Sequence, residues 1–398
     1  MTATPPRADR RTFLGATVTA GVLSISGCLG FGEDEFDGFD LEEVADGLTQ
    51  PWAMAFLPED SRLLVTELEG ELLLFGREDG DSEVVEGTPE VYAAGQGGLL
   101  DVELHPDFPD ESWVYLTYAA ENDAGESTTH LGRGRLDLEA PRLEDFEELF
   151  VAEPFVDSTA HYGSRVVFGE DGAVYVTVGD RGDKRFGEEA SEHYSRITDN
   201  ELGATLRLEA DGSIPEDNPF TDDDDVADAI YTYGHRNSQG MAVHPETGEI
   251  WQSEHGEEDG DEINVLEEGG DYGWPIAHTG CEYGTDDPVG DDPFDLEDVV
   301  DPVYYWECGT GGFPPAGTTF YDGEAFPEWQ GDLFVGGLAS QSLVRFTVDG
   351  RDVSLAEELL DGQGWRIRDV AVAPDTGYLY VAVDADDAPI VRLVPDDE

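Results

Sequence analysis

The fold this sequence predicts is all-β: a six-bladed β-propeller of four-stranded antiparallel blades, on three observations. No long segment carries the apolar period of a helix, whereas short alternating runs recur along the chain. The runs group into units of roughly 45 to 75 residues, each an alternating strand, a turn with Pro, Asp or Gly, a second strand and a third. Six such units follow one another, and the last lacks an outer strand that an N-terminal segment can supply.

Taken in order, residues 1–28 read as a leader and not as fold. Arg10 and Arg11 precede an apolar stretch at 13–25 that ends in Ser26, Gly27 and Cys28. That is the pattern of a twin-arginine lipoprotein signal, with Cys28 as the lipid-bearing residue. The stretch is short and rich in Gly, Ser and Thr for a membrane span, and an uncleaved anchor is the other reading. The expectation is export by the twin-arginine route to the outer face of the cell membrane, with membrane contact only through the lipid. Residues 29–40 read as an acidic tether and 41–398 as the propeller domain.

First strands are expected at 53–57, 99–105, 165–168, 240–244, 317–321 and 368–373, and second strands at 63–67, 113–118, 173–179, 249–254, 332–336 and 378–383. Third strands fall at 71–75, 132–138, 205–209, 262–266, 343–348 and 390–394, with weaker fourth strands at 148–151, 229–233 and 354–360. Residues 41–47 are expected to complete the last blade, which closes the ring and covers two edges.

The 398 residues carry 92 acids against 20 Lys plus Arg, a formal net charge of -72, and Lys184 is the only lysine. Such a surface repels itself in dilute buffer and is tolerated where salt screens it, so a halophilic source is expected. Ordinary apolar content excludes disorder, and the lack of a basic stripe excludes a nucleic-acid partner. No Cys/His cluster points to zinc, no GxSxG elbow to a serine hydrolase, and no Gly-rich strand-to-helix turn to a nucleotide. Cys281 and Cys308 read either as a disulfide, in an oxidising compartment, or as two buried thiols.

Strand register then gathers a site. In an up-and-down blade, the loop before the first strand and the loop after the second share one face. Gln96, His161, Arg236, Asn237, Arg366 and Arg368 all fall in or beside such positions. Each alone has a bland reading: a turn, a satisfied polar group, a cross-strand salt bridge. Three arginines from so few, converging on one channel mouth, imply instead an anionic ligand held by charge-assisted hydrogen bonds. The oxygen-rich loop Gly256 to Asp261 suits calcium, although for any single Asp a solvated surface acid is the simpler account. Glu262 stands apart at a strand start, with Tyr272 beyond a glycine-rich turn.

At these residues the chain resembles the soluble PQQ-dependent sugar dehydrogenases, the glucose/sorbosone and aldose sugar dehydrogenase family. The resemblance spans roughly residues 45 to 395 and rests on long motifs: GQGGLLDVELHPDF (95–108), HYGSRVVFGEDGAVYVTVGDRG (161–182), LRLEADGSIPEDNPF (206–220), the run from GHRNSQG through DEINV to DYGWP, and WRIRDVAVAPDTG (365–377). It implies a six-bladed propeller, PQQ and Ca2+ as cofactors, and oxidation of an aldose sugar at its anomeric carbon to a lactone. It implies His161 as general base, with Arg236 also stabilising charge on the quinone oxygen. Gln96, Arg236, Asn237, Arg366 and Arg368 become cofactor ligands. Main-chain oxygens of Gly256 and Glu257 would hold the cofactor's calcium, and Glu262 and Tyr272 a second, structural one.

Three departures bear on that implication. Gly256–Glu257 stands where the family often has Gly-Pro, which leaves the loop less stiff and adds a carboxylate. A cofactor-binding lysine is replaced near Ala339, and an aspartate beside the catalytic histidine is Ala160 here. Both losses favour the broader aldose-type branch over glucose specificity. Two other functions compete: a calcium-dependent propeller lactonase, which needs carboxylates pointing into the channel, and a non-catalytic sugar-binding lipoprotein. The sugar, the electron acceptor and the choice between monomer and dimer are not fixed by these residues.

Overall fold

The computed structural model describes residues 38–78 and 80–396. The leader, Cys28 and the tether up to residue 37 lie outside the described residues. Six four-stranded antiparallel sheets account for the strands. Blade 1 comprises Pro51–Phe56, Arg62–Glu67, Leu72–Gly76 and Ser82–Val84. Blade 2 runs Leu99–Leu104, Trp113–Glu121, Ser127–Asp137 and Arg142–Val151. Blade 3 is Val166–Phe168, Val174–Val178, Ala204–Leu208 and Ile230–Tyr233, and blade 4 is Ser238–Val243, Ile250–Glu254, Glu262–Val265 and Tyr304–Tyr305. Blade 5 holds Pro315–Phe320, Leu333–Gly337, Leu343–Asp349 and Asp352–Leu359.

Blade 6 is built from both ends of the chain. Ile367–Val372, Leu379–Val383 and Asp386–Pro395 are joined on the outside by Phe39–Thr49. Phe39 pairs with Pro395 and Thr49 with Asp386, and Arg392 reaches Glu42 at 2.6 Å across the seam. The closing strand therefore starts at Phe39, two residues inside the expected tether. The outer strands of blades 1 and 4 went unread in the sequence because they are three and two residues long.

Second strands such as VYVTV and LYVAV are buried along their whole length because a neighbouring blade covers each face. Their apolar runs are accordingly continuous, and the core lies in layers between blades. Leu64, Leu72 and Leu74 of blade 1 meet Leu99, Val114 and Leu116 of blade 2, for example. Each such side chain contributes about 1.5–3 kcal/mol by leaving water.

Within these apolar strands one hydroxyl stitches blade to blade. Thr66 Oγ1 accepts the N–H of Ala53 at 3.0 Å and donates to Leu100 O of the next blade at 2.6 Å. Thr117 does the same with Asp101 N and Ser164 O, and Thr177 with Arg165 N and Ser238 O. A valine of the same shape would leave a buried N–H and a buried carbonyl unpaired, at a cost of about 1–3 kcal/mol each.

Candidate active site

The register rule places acids as well as bases on the site face. In blade 3, His161 precedes the first strand and Asp180 follows the second; their Nδ1 and Oδ1 lie 2.6 Å apart. In blade 4, Arg236 Nη2 donates to Glu257 Oε2 at 2.7 Å. In blade 6, Arg366 and Arg368 both donate to Asp384 Oδ2 at 3.0 Å. Each base is thus held by an acid from its own blade.

His161 is set in a strained turn. Its φ is 50°, with Ser164 at 79° and Arg181 at 58°, all in the left-handed region that side chains avoid. Gln96 supports this backbone, its Oε1 accepting the His161 N–H at 2.6 Å. Gly179 is required opposite, since a Cβ there would stand 2.2 Å from the His161 carbonyl oxygen. Asp180 is fixed in turn by Gly182 N–H at 2.7 Å and Trp274 Nε1–H at 2.9 Å. Burial opposes the Asp180 charge, but His161, Arg236 and His193 hold its pKa at about 2. Burial and then Arg236 lower the imidazole below its ordinary value, outweighing the carboxylate. At neutral pH the pair is therefore Asp180 ionised and His161 neutral. Nδ1–H donates to Asp180, and the lone pair of Nε2 accepts no hydrogen bond among the described residues.

Arg236 is 3% exposed, lies over Trp274 at 5.2 Å, and has a buried Nε without a partner. Glu257 is clamped from two sides, because Lys184 Nζ reaches its oxygens at 2.7 and 3.0 Å. Burial would raise the Glu257 carboxyl, yet Arg236 and Lys184 keep it below its usual range. In this Gly-Glu loop two cations hold the side chain, whereas a proline ring would hold the backbone. Asn237 is fully buried, with Oδ1 on Gly163 N–H at 3.1 Å and Nδ2 3.5 Å from His255 Nδ1. It supports the His161 turn more directly than it faces the cavity. His235 is likewise structural, bridging Glu254 and Thr232 at 2.8 Å each.

A cavity of about 200 Å³ opens among Gln96, Trp52, His255, Arg366, Arg368 and Asp384. Arg368 is the deeper arginine, 11% exposed against 44% for Arg366, and also donates to Gln239 Oε1 at 3.0 Å. Asp384 neutralises part of the charge of both arginines, the cross-strand salt bridge that is their bland reading. His255 donates Nε2–H to Pro315 O at 2.6 Å, and burial drives its pKa down to about 3, so it is neutral among the arginines. Leu338 lines the same cavity, next to Ala339, with no cation there.

Of the expected metal ligands, Gly256 and Glu257 are buried and their carbonyls accept no backbone hydrogen bond among the described residues. Glu262 is buried beside Glu254 and Asp261, with His278 Nε2 3.7 Å away. The Tyr272 hydroxyl is already engaged with the protein. It donates to Val265 O at 2.7 Å and accepts Glu267 N–H at 2.9 Å, which leaves only the main-chain carbonyl. Cys281 and Cys308 form a disulfide.

Carboxylates do point into the channel, farther along the inner strands. Asp101 and Asp369 share Arg165 Nη1 at 3.0 and 3.1 Å, and each also accepts a backbone N–H from the next blade, Val166 and Met54 respectively. Both are held by Arg165 and a backbone N–H, and among the described residues they belong to no group of three side chains close enough to hold a metal ion.

The family profile described as glucose/sorbosone dehydrogenase matches residues 48–392. The aldose sugar dehydrogenase YliI of Escherichia coli is 36% identical over 357 residues, covering 89% of this chain and 93% of that protein. Quinoprotein glucose dehydrogenase B of Acinetobacter calcoaceticus is 27% identical over 89% of this chain and 87% of its own. Among solved structures, the PQQ-bound aldose sugar dehydrogenase of Streptomyces coelicolor superposes with a TM-score of 0.73 at 26% identity, covering 90% of this chain and 98% of that one. With the profile spanning nearly the whole propeller, this chain belongs to the glucose/sorbosone dehydrogenase family.

Proposed function

We propose that the protein is a PQQ- and calcium-dependent aldose dehydrogenase that oxidises the anomeric carbon to a lactone. The observation that carries this reading is the His161–Asp180 pair, a neutral imidazole with a free Nε2 beside a buried arginine whose Nε lacks a partner. The residues present fit the two cofactors. Arg236, Arg368 and Arg366 offer cations to a tricarboxylate, and the carbonyls of Gly256 and Glu257 offer hard oxygens to Ca2+. When bound, PQQ supplies the two-electron acceptor and calcium the Lewis acid that polarises its carbonyl.

The protein's own part is proton transfer and placement. His161 Nε2 takes the proton of the anomeric hydroxyl, which contributes about 10²–10⁴-fold. Asp180 holds Nδ1–H, so the imidazole keeps the right tautomer and the imidazolium that forms is stabilised. Trp274 and Gly182 hold Asp180 in turn. Arg236 presents fixed positive charge where negative charge develops, at no cost in reorganisation. The twin-arginine pair, the apolar stretch and Cys28 support an exported lipoprotein, tested by mass spectrometry of the mature N-terminus.

The deciding experiment is dye-linked oxidation of aldoses in about 2 M KCl, where charge repulsion is screened, with and without PQQ and Ca2+. Turnover is expected only with both. Equal turnover without PQQ, or none from the loaded protein, overturns the reading.

A further inference from the structure

Behind the loop that offers Gly256 and Glu257 lies an anchor that the proposed chemistry does not use. Asp259 is buried, only 3% exposed. Its Oδ1 accepts Cys281 N–H at 2.9 Å and its Oδ2 accepts Gly309 N–H at 2.5 Å, so one carboxylate grips the chain at each end of the Cys281–Cys308 disulfide. The residues on either side add main-chain bonds, Glu258 N–H to Cys281 O at 3.3 Å and Gly260 N–H to Trp306 O at 2.9 Å. Asp261 closes the loop, its Oδ1 accepting Gly256 N–H at 2.9 Å and its Oδ2 Phe313 N–H at 2.5 Å. The packing is tight: a Cβ at Gly256 or Gly280 would stand 2.0 or 2.2 Å from Asp259 O. A shift of Asp259 is therefore passed to Gly256 and, next along the chain, to Glu257.

We propose that Asp259 and the Cys281–Cys308 disulfide form one clamp that positions the Gly256 and Glu257 carbonyls for calcium, and that reducing the disulfide weakens calcium binding. This rests on the reading of those carbonyls as calcium ligands, and it makes Asp259 a positioning residue. A carbonyl already in place loses little conformational freedom when the ion arrives, so affinity falls when its support is loosened. Ten acids and no Lys or Arg lie between the two cysteines, and their repulsion works to spread the segment that the disulfide closes. Cys281 is buried and Cys308 exposed, so a dithiol reaches the bridge from the Cys308 side. Its thiolate attacks Cys308 Sγ and its second thiol completes the exchange. The S–S bond of the protein breaks, the dithiol closes to a disulfide, and two electrons and two protons pass to the cysteines.

The test titrates Ca2+ into EDTA-treated protein in about 2 M KCl, where charge repulsion is screened. Calorimetry follows the ion alone, and with PQQ present the quinone absorbance reports the site at Gly256 and Glu257. Three samples should each need about 10-fold more Ca2+ for half-saturation, the low end of what losing the support of a metal ligand costs. They are Asp259→Ala, the pair Cys281→Ser with Cys308→Ser, and wild type reduced with dithiothreitol and freed of it under argon. The last keeps every side chain, so the test survives if a variant fails to fold. Asp259→Asn, which keeps one acceptor oxygen, should fall between wild type and Asp259→Ala. The triple variant should be no weaker than Asp259→Ala, because a single clamp is broken only once. A bridge that serves stability alone would lower the unfolding midpoint and leave the calcium titration within about twofold of wild type. That result, or additive losses in the triple variant, overturns the clamp. If no PQQ binds at any calcium concentration but the calorimetric losses appear, the clamp stands and the PQQ reading falls.

Discussion

Two layers of the central channel are built from the same residue types and do opposite things. At the mouth, each base has an acid from its own blade, and something is left over: the lone pair of His161 Nε2, the Nε–H of Arg236, the carbonyls of Gly256 and Glu257. In the layer farther along the inner strands, one guanidinium serves two carboxylates from different blades and backbone N–H groups take up their remaining oxygens, with only Arg165 Nη2 left without a partner. Arg165 also lies over Trp52 at 4.4 Å. Burial pushes Asp101 up to about 6, against the pull of Arg165, whereas Asp180 at the mouth is held at about 2. A charge paired across blades is mortar for the ring; a charge paired within a blade leaves a face free for chemistry.

The largest expected effect breaks the mortar. Arg165→Met leaves Asp101 and Asp369 buried without their cation, and breaking a buried pair from one side costs about 3–5 kcal/mol. Chemical denaturation should show that loss. If stability holds while turnover disappears, the inner layer belongs to the active site and the contrast fails.

Next comes His161→Ala, which should lower kcat by at least ~10²-fold while PQQ affinity and unfolding free energy stay near wild type. Near-normal turnover by a PQQ-loaded variant would remove His161 from the mechanism. A smaller effect separates the two arginines on Asp384. Arg368→Gln, at the buried position, should weaken PQQ binding by about 1.5–3 kcal/mol, and Arg366→Gln by less, since solvent already screens it. The reverse order in a PQQ titration would contradict the burial argument.

The finest effect is on pH. The working form of His161 is the neutral imidazole, and burial with Arg236 places its pKa below the ordinary value near 6.5. kcat/KM should therefore rise with pH, reach half its maximum below about 6.5, and stay flat to pH 8 or so. A midpoint above about 7 would mean that Asp180 dominates the imidazole.

Much of this was legible in the sequence, for physical reasons that can be named. Strand alternation and turn chemistry are local, so six units and the borrowed outer strand could be read. The face rule is a consequence of up-and-down order, so His161, Arg236, Arg366 and Arg368 fell on one side. The acids that complete them did not stand out. Among 92 acidic residues, Asp180 and Asp384 have no motif of their own, and each is chosen by pairing with a base of its own blade. Both had one available signal, a position just after a second strand, Asp180 in VTVGDRG and Asp384 in LYVAVD, where the same rule applies. The role of Lys184 also required the fold, since its partner Glu257 is 73 residues away.

The borrowed strand also sets an order of events during synthesis. Phe39–Thr49 leaves the ribosome first among the blade strands, and its partner Asp386–Pro395 leaves last; Glu42 and Arg392 are 350 residues apart. Five blades can be complete while the first strand still waits with an open edge. Because the entropy of joining distant segments grows only as the logarithm of their separation, the wait adds little to the final free energy. A nascent chain stopped before residue 386 has no place to put its first strand, so the ring is sealed only once Asp386–Pro395 has been made.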